Sequence, residues 1–399
     1  MRLLSLSTLY PAPTRPGWGR FVQTQLETMA RRGDWDVTVI NPIGLPPLLP
    51  LKRYAALRTT PAVEAPARET GGAITVHHPR FALIPGLSGR FNPALITRAV
   101  LPLARRLHAE RPFDLIDAQF FYPDGPAAAR IARELGLPLA IKARGGDILY
   151  WGTLPACLAQ IRAAAEQTRA LLTVSQALGR DMVALGLPEE RIRVHYTGLD
   201  HARFRPRPRD EARAQLAARF PALALPADAR IIASVGSLIA IKGQALSIAA
   251  LAELPDDVVL VLVGAGPDEA ALRRQAASAG LGQRVIFTGN LGHDDLPLLL
   301  SAAEAMVLPS EREGLANAWI EALACGAPIV ISDVGGAREL VDSPNAGRIV
   351  AREPKAIAAA LREVLAARMP QSEVAATVAR FSWDANAAAL SAIYTGIVR

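Results

Sequence analysis

Short apolar runs alternate with stretches of helical period along the whole chain. No other feature constrains the fold as much. In the first half the runs are RLLSLS (2–7), VTVI (37–40), AITVHH (73–78), DLIDAQ (114–119), LAIKAR (139–144), ALLTVS (170–175) and RIRVHY (191–196). Helical stretches fall near 21–32, 93–110, 123–135, 155–168 and 176–185. Runs of this kind, without an in–out alternation, suit strands buried on both faces of a parallel sheet, with helices as the crossovers. The pattern restarts after residue 200 with IIASVGSL (231–238) and VVLVLV (258–263), so the expectation is α/β with two doubly wound parallel sheets. At 399 residues the chain is too long for one ordinary core and right for two domains. The expected division is 1–200 and 201–380, with a closing helix over 381–398. The proline- and arginine-rich YTGLDHARFRPRPR (196–209) marks the join.

The stretch PSEREGLANAWIEALACGAPIVIS (309–332) carries most of the chemistry. A buried strand at 305–308 leads into a loop, a helix follows over 316–324, Gly326 stops it, and PIVIS begins the next strand. The loop 310–315 therefore lies at the carboxyl end of a strand and the amino end of a helix, the ligand edge of an open α/β sheet. Free N–H groups and the helix dipole favour a phosphate there. Glu313 sits on the loop and Glu321 about two turns into the helix, too far apart to share a proton but suited to a ligand gripped at two points. Elsewhere, Gly17 and Gly19 precede the 21–32 helix as a phosphate-approaching loop would. Arg144 and Asp147 follow the 139–144 strand at the same kind of edge, and Lys242 follows the 231–238 strand. Gly264 and Gly266 form a tight turn, but GAGPDE lacks the third glycine and the distant acid of a dinucleotide site.

Hydrophobic residues at 51% and charged residues at 20% indicate a globular chain. Cys157 and Cys325 match no metal-ligand spacing and fit a reducing cytoplasm. MRLLSLSTLYPAP reads as a first strand and its loop rather than a leader, and no apolar run reaches the ~18–20 residues of a membrane span. Residues 1–200 hold 24 Lys and Arg against 16 Asp and Glu, while the remainder holds 20 against 21, so the net +7 belongs to the first half. An anionic membrane surface or an acidic substrate would suit that charge, as would a solvated surface with no anionic partner. Nucleic acid does not suit it, because the basic residues are scattered and aromatics make up only 5%. Residues 41–72 read as irregular because of their prolines. Leu48, Leu49, Leu51, Lys52, Arg53 and Arg58 give this segment an apolar and basic cluster, either an acceptor-side and membrane contact over 45–58 or a mobile insertion. The histidines His77, His78, His108 and His195 read as structural.

Taken together, these motifs resemble family 4 of the retaining glycosyltransferases, of the bacterial cell-surface polysaccharide type. That family has the GT-B fold: two Rossmann-like domains facing each other across a cleft. The 309–332 string is similar to the family signature, YPAPTRPGWGRF to its amino-terminal loop, and Arg144-Gly145-Gly146-Asp147 to a motif at the base of the cleft. The linker match keeps Gly198, Asp200, Phe204 and Pro206, with Thr197 where the family has Asn. Ser237 stands where the family often has Arg, which leaves more of the diphosphate charge to Lys242, with Arg144 or Arg312 as helpers. The histidine that some members carry near Arg144 is absent.

The resemblance implies a catalytic set of Glu313, Lys242, Asp147 and Arg144. It implies a donor-binding set of Gly17, Gly19, Ser237, Gly264, Gly266, Asn290, Gly314, Leu315, Asn317 and Glu321. Glu321 would hold ribose hydroxyls, Lys242 and the amides of 314–317 the diphosphate, Glu313 the transferred sugar, and the segment containing Asn290 the base. DVGGARELV (333–341) and NAGRIV (345–350) match later family segments, and the 381–398 helix would cross back to the first domain. Asp34-Trp35-Asp36 spells the metal-binding Asp-x-Asp of glycosyltransferases with another fold, but it follows Gly33 in a turn and reads as solvated. The expectation is therefore no metal and no cofactor, with a UDP- or GDP-sugar as substrate and a carbohydrate or lipid-linked acceptor. The setting would be cytoplasmic, peripheral at the membrane. A sugar-nucleotide epimerase, a phosphorylase and a non-catalytic nucleotide-sugar binder are the rival readings.

Overall fold

The computed structural model describes residues 1–47, 54–64, 74–226, 228–292 and 294–399. It divides into two compact units, residues 1–198 with 383–399, and residues 199–382.

The first unit contains β1 (Arg2–Leu6), β2 (Asp36–Ile40), β3 (Ile43–Leu45), β4 (Val63–Glu64), β5 (Thr75–His77), β6 (Arg80–Ala82), β7 (Leu115–Ala118), β8 (Leu139–Ala143), β9 (Ala170–Thr173) and β10 (Ile192–Val194). Eight of these form one sheet in the order β10-β9-β8-β7-β1-β2-β5-β4. All its pairs are parallel except β4 with β5. Strand order reverses between β1 and β7, so the loops that follow them splay apart and leave a crevice. One face is covered by the helix Arg20–Arg31 and by the closing helix Trp383–Val398. Val22, Leu26 and Met29 of the first and Leu390 and Tyr394 of the second share a core with Leu3, Val37, Val39 and Leu115. The chain leaves this unit and returns to it at one place. A Cβ on Gly198 would lie 2.4 Å from the Trp383 ring, a contact only glycine permits.

The 41–72 segment is less irregular than its prolines suggest. β3 pairs in parallel with β6, and a 3-10 turn spans Ala56–Thr59. The reason is burial: Ile43, Leu45 and Leu57 pack with Ala12 in a small separate core, which local composition does not reveal. Of the basic and apolar cluster expected here, Leu48, Leu49, Leu51, Lys52 and Arg53 lie outside the described residues, whereas Arg58 donates to the Pro46 carbonyl at 2.9 Å.

The second unit is a single parallel sheet built from β11 (Arg230–Val235), β12 (Val258–Val263), β13 (Val285–Gly289), β14 (Ala305–Leu308), β15 (Ile329–Ser332) and β16 (Gly347–Val350), in the order β13-β12-β11-β14-β15-β16. All six residues of β12 are buried, as its unbroken Val/Leu run requires. Here the order reverses between β11 and β14. Helices Gln244–Leu251 and Pro354–Ala367 supply Ile248, Leu251, Ile357, Leu361 and Val364 to the core beside Ile232, Leu260 and Val307. Among the described residues no helix is long and apolar enough to cross a membrane.

Candidate functional site: the switch point between β11 and β14

Lys242 and Glu313 come from the loops after β11 and β14, the two strands that flank the reversal. Three backbone devices bring these loops together. Gly243 has φ 75°, and a Cβ there would meet the Pro309 carbonyl oxygen at 2.3 Å. The Glu311 N–H donates to the Ile241 carbonyl at 2.7 Å. From the other side, a Cβ on Gly335 would lie 2.2 Å from the Glu313 carbonyl oxygen, and the Gly336 N–H donates to the Gly314 carbonyl at 2.8 Å. The Glu313–Gly314 backbone is thus fixed between its neighbours. The Ser332 hydroxyl steadies the loop by donating to the Ser310 carbonyl.

Within this frame Lys242 Nζ is 2.5 Å from Glu313 Oε1, and Ser310 Oγ donates to the same oxygen at 2.8 Å. The side chains are 20% and 10% exposed, so the pair is largely shielded yet open to a ligand. Two helices begin here, Gln244–Leu251 after Gly243 and Asn317–Ala324 after Ala316, and neither has a side-chain cap. Their first N–H groups and positive dipole ends remain available to an anion. Gly314 and Leu315 are buried in the turn, and Asn317 opens the helix. A cation beside two uncapped helix ends suits a diphosphate, and a fixed carboxylate next to them suits sugar hydroxyls.

Glu321 shares a helix face with Asn317, one turn away. Burial raises its carboxyl to about 7, and its side chain makes no hydrogen bond among the described residues. A desolvated acceptor without a protein donor is one that a ligand hydroxyl would satisfy.

Ser237 is exposed, and its carbonyl accepts from Gln244 Nε2 at 3.0 Å. Asn290 is exposed just after β13. Gly264 and Gly266 lie against the β11 loop, where added Cβ atoms would meet the Gly236 and Leu238 carbonyl oxygens at 2.1 and 2.2 Å. These glycines admit the chain's own backbone, and so support the Lys242 loop. Gly19 is similar: φ is 70°, and a Cβ would lie 2.4 Å from the Leu9 carbonyl. Gly17 has open space around it.

Gly17, Gly19, Arg144 and Asp147 all belong to the first unit. Asp147 requires a correction, because a carboxylate at the reacting sugar would have to be accessible. It is fully buried, and its oxygens accept from the backbone N–H groups of Phe121 (2.7 Å), Arg144 (3.0 Å) and Gly145 (2.8 Å). Asp147 therefore holds the turns after β7 and β8, with its carboxylate turned to backbone donors. Arg144 is also partly committed: Nε and Nη2 donate to the carbonyl and side-chain oxygens of Gln119 at 2.7 Å each, and the guanidinium lies 4.8 Å from the Phe21 ring centroid. Burial lowers its pKa to about 10, so it is cationic at neutral pH.

The Asp-x-Asp motif is the solvated turn expected, with Asp34 exposed in the bend and the Asp36 side chain 40% exposed, and both carboxylates are held in surface ion pairs. Asp36 opens β2 and pairs with Arg2 at 3.3 Å and Arg111 at 2.6 Å, Asp34 pairs with Arg32 at 3.5 Å, and Trp35 is buried against Tyr394.

Beneath Arg144 lies a buried polar network that sequence reasoning missed. Lys142 Nζ donates to Gln25 Oε1 (3.1 Å) and to His195 Nδ1 (2.6 Å), and His195 Nε2 donates to the Asn386 carbonyl (2.9 Å). Because that carbonyl can only accept, Nε2 carries the imidazole proton. Burial and the Lys142 charge both disfavour a second proton on His195. Tyr394 and Gln119 each donate to Asp117 at 2.6 Å. The one available signal was a lysine in the middle of an otherwise apolar strand, LAIKA.

Comparison with known proteins agrees with this geometry. The family described as Glycosyltransferase Family 4 matches residues 17–203, and the family described as Glycosyl transferases group 1 matches residues 217–380. The chain is 28% identical over its whole length, and over 99% of the relative, to the putative teichuronic acid biosynthesis glycosyltransferase TuaC of Bacillus subtilis. It is also 28% identical to the GDP-mannose-dependent alpha-(1-6)-phosphatidylinositol monomannoside mannosyltransferase of Mycobacterium tuberculosis, covering 83% of this chain and 85% of that one. Sucrose-phosphate synthase of Thermosynechococcus elongatus shares the fold, with a TM-score of 0.78, 22% identity and 99% coverage of both chains. Anabaena Alr3699/HepE, solved in complex with UDP, shares it with a TM-score of 0.73, 20% identity, and coverage of 99% of this chain and 100% of that one. The chain belongs to family 4 of the glycosyltransferases and has the GT-B fold.

Proposed function

We propose that this glycosyltransferase moves a hexosyl group from a nucleotide-sugar to an acceptor hydroxyl, with retention of anomeric configuration, in the synthesis of a cell-surface polysaccharide or glycolipid. The observation that carries this reading is the Lys242–Glu313 pair at the β11/β14 reversal, flanked by two uncapped helix ends. Lys242 and the amides of 314–317 take the diphosphate, whose negative charge grows as the glycosidic bond breaks. Displaced from the ammonium by that anion, Glu313 accepts from hydroxyls of the transferred sugar. Glu321 accepts from the ribose. The leaving phosphate oxygen takes the acceptor proton on the same face, so positioning and charge stabilisation supply the rate without a protein nucleophile.

A UDP-sugar is the first choice of donor, supported by the UDP-bound structure of Anabaena HepE. A GDP-sugar is the second, favoured by the GDP-mannose-dependent mycobacterial relatives. A thermal-shift panel of UDP-, GDP- and ADP-sugars separates them. Incubating the preferred donor with acceptor, and assigning the product's anomeric configuration by NMR, tests the transfer. Turnover of the donor without any acceptor would indicate an epimerase, and an obligatory phosphate substrate would indicate a phosphorylase. Tight donor binding without turnover would indicate a binding protein. The reaction is proposed to run without a divalent ion because Lys242 supplies the cation; an enzyme silenced by chelator would contradict that.

The raised pKa of Glu321 gives a further prediction. Ribose hydroxyls donate to the ionised carboxylate, so binding lowers this pKa and expels a proton. Nucleotide affinity should rise as the pH passes through about 7, by up to about tenfold per unit below it, and level off above. Calorimetric titration from pH 6 to 8 checks this, with Glu321→Gln as the control for titration of the nucleotide itself. A wild-type profile identical to that of Glu321→Gln would refute the role.

A further inference from the structure

The first unit carries a pocket of its own, lined only by residues of that unit. It holds about 540 Å³ and is formed by the segment after β6 and the segment 150–157. That volume is in the range of small-ligand sites. Trp151, in its wall, packs on the buried Tyr122 ring with centroids 4.9 Å apart and a tilt of 36°, and Tyr122 Oη donates to the Gly89 carbonyl at 2.9 Å. Around the pocket, Ile84, Leu87, Phe91, Tyr150 and Leu154 are all exposed, Leu87 by 75%. These five make up half of the large apolar side chains exposed among the described residues, so they form a patch rather than scattered surface hydrophobes.

The turn that presents Leu87 is rigidly built. Leu87 and Ser88 both donate from their N–H groups to the Ile84 carbonyl, at 3.1 and 2.9 Å. The Ser88 hydroxyl accepts from the Ile84 N–H at 3.0 Å and donates to Asn92 Oδ1 at 2.8 Å. A leucine held out at the tip of a fixed turn loses burial that the fold could otherwise have given it.

Charge narrows the choice of partner. The pocket lining contains one charged residue, Arg90, and no acid. Along the chain no Asp or Glu occurs between Glu69 and Glu110, a span with five arginines, and no charged residue at all occurs between Asp147 and Arg162. Two aromatic residues with polar tips, Tyr150 and Trp151, sit at the rim. Protruding aliphatics, interfacial aromatics and an arginine without acidic neighbours match the boundary of an anionic bilayer.

We infer that the first unit docks on an anionic lipid surface through this rim, with Leu87 and Ile84 entering the acyl region and Arg90 at the phosphate level. The contact deepens the reading above, since it would bring a lipid-linked acceptor to the first unit, and it places a membrane face at 83–92 and 150–154.

The test is co-sedimentation of the full chain with phosphatidylglycerol-containing and pure phosphatidylcholine vesicles. The wild type should bind the anionic vesicles more strongly. Leu87→Asp should weaken partitioning by about tenfold or more, and Arg90→Ser by about fivefold. UDP or GDP binding should be unchanged in both variants, which separates this test from that of the donor site, and urea unfolding of the first unit followed by Trp35 fluorescence should match the wild type, which shows that they fold. Wild-type partitioning in Leu87→Asp or in an Ile84→Asp variant would overturn the inference. So would a wild type that ignores vesicles, or one that binds only monomeric short-chain amphiphiles. A concentration-dependent dimer dissolved by Leu87→Asp, with no vesicle binding, would assign the patch to self-association instead.

Discussion

Replacing Lys242 by alanine should lower turnover by about 10²–10³ while the protein remains folded. The magnitude is that of removing one prepositioned donor from a developing anion in a partly shielded site. Lys242 is the cation that pairs with Glu313 at the β11/β14 reversal, Arg312 lies on the loop after β14, and Ser237, standing where a further cation would be expected, carries none. Stability should change much less, because the pair retains some solvent access and Glu313 keeps its hydrogen bond from Ser310. Glu313→Ala should have an effect on rate of similar order. The two losses should not add in the double variant, since each residue positions the other across 2.5 Å. Initial rates under saturating donor, with thermal unfolding as the control, decide the matter. Near-normal turnover in both single variants would remove the basis of the assignment.

Asp147→Ala should act on stability instead. Its carboxylate is the shared acceptor for three buried N–H groups, and without it those donors have no replacement nearby. A buried unsatisfied donor costs about 1–3 kcal/mol, so the first unit should lose about 3–5 kcal/mol even if some donors relax towards water. Asp147→Asn, which keeps one acceptor oxygen, should lose distinctly less. The two units need not unfold together, so the measurement is urea unfolding followed by a probe in the first unit, such as Trp35 or Trp151 fluorescence. If Asp147→Ala unfolds like the wild type and loses only kcat, the residue contacts substrate after all, as its resemblance to the family motif implied.

These two cases show what a linear reading can reach. Strands such as Val258–Val263 and helices such as Asn317–Ala324 were legible because their signals are local: unbroken apolar runs, helical spacing, and a stop at Gly326. The Glu313 loop was legible for the same reason, as a strand-to-helix junction. The environment of Asp147 was not, since two of its three donors adjoin it in sequence but Phe121 comes from the preceding crossover. The Lys142–His195 contact joins β8 to the segment after β10, and its meaning depends on the closing helix that supplies Asn386. Gly17 and Gly19 read as an opening for phosphate, and Gly264 and Gly266 as a tight turn. Gly19, Gly243, Gly264 and Gly266 are each needed by neighbouring backbone, which spacing alone cannot distinguish from a ligand. The apolar patch around Leu87 was hidden because exposure is a property of the assembled surface.

The central claim is that a nucleotide diphosphate lodges at the β11/β14 reversal of the second unit. Hydrogen exchange with and without saturating UDP or GDP tests it most directly. The account predicts slowed exchange at the amides of 236–244 and 310–318, abolished by Lys242→Ala at the same nucleotide concentration. Protection confined to the first unit, or protection of both segments that survives Lys242→Ala unchanged, would contradict it.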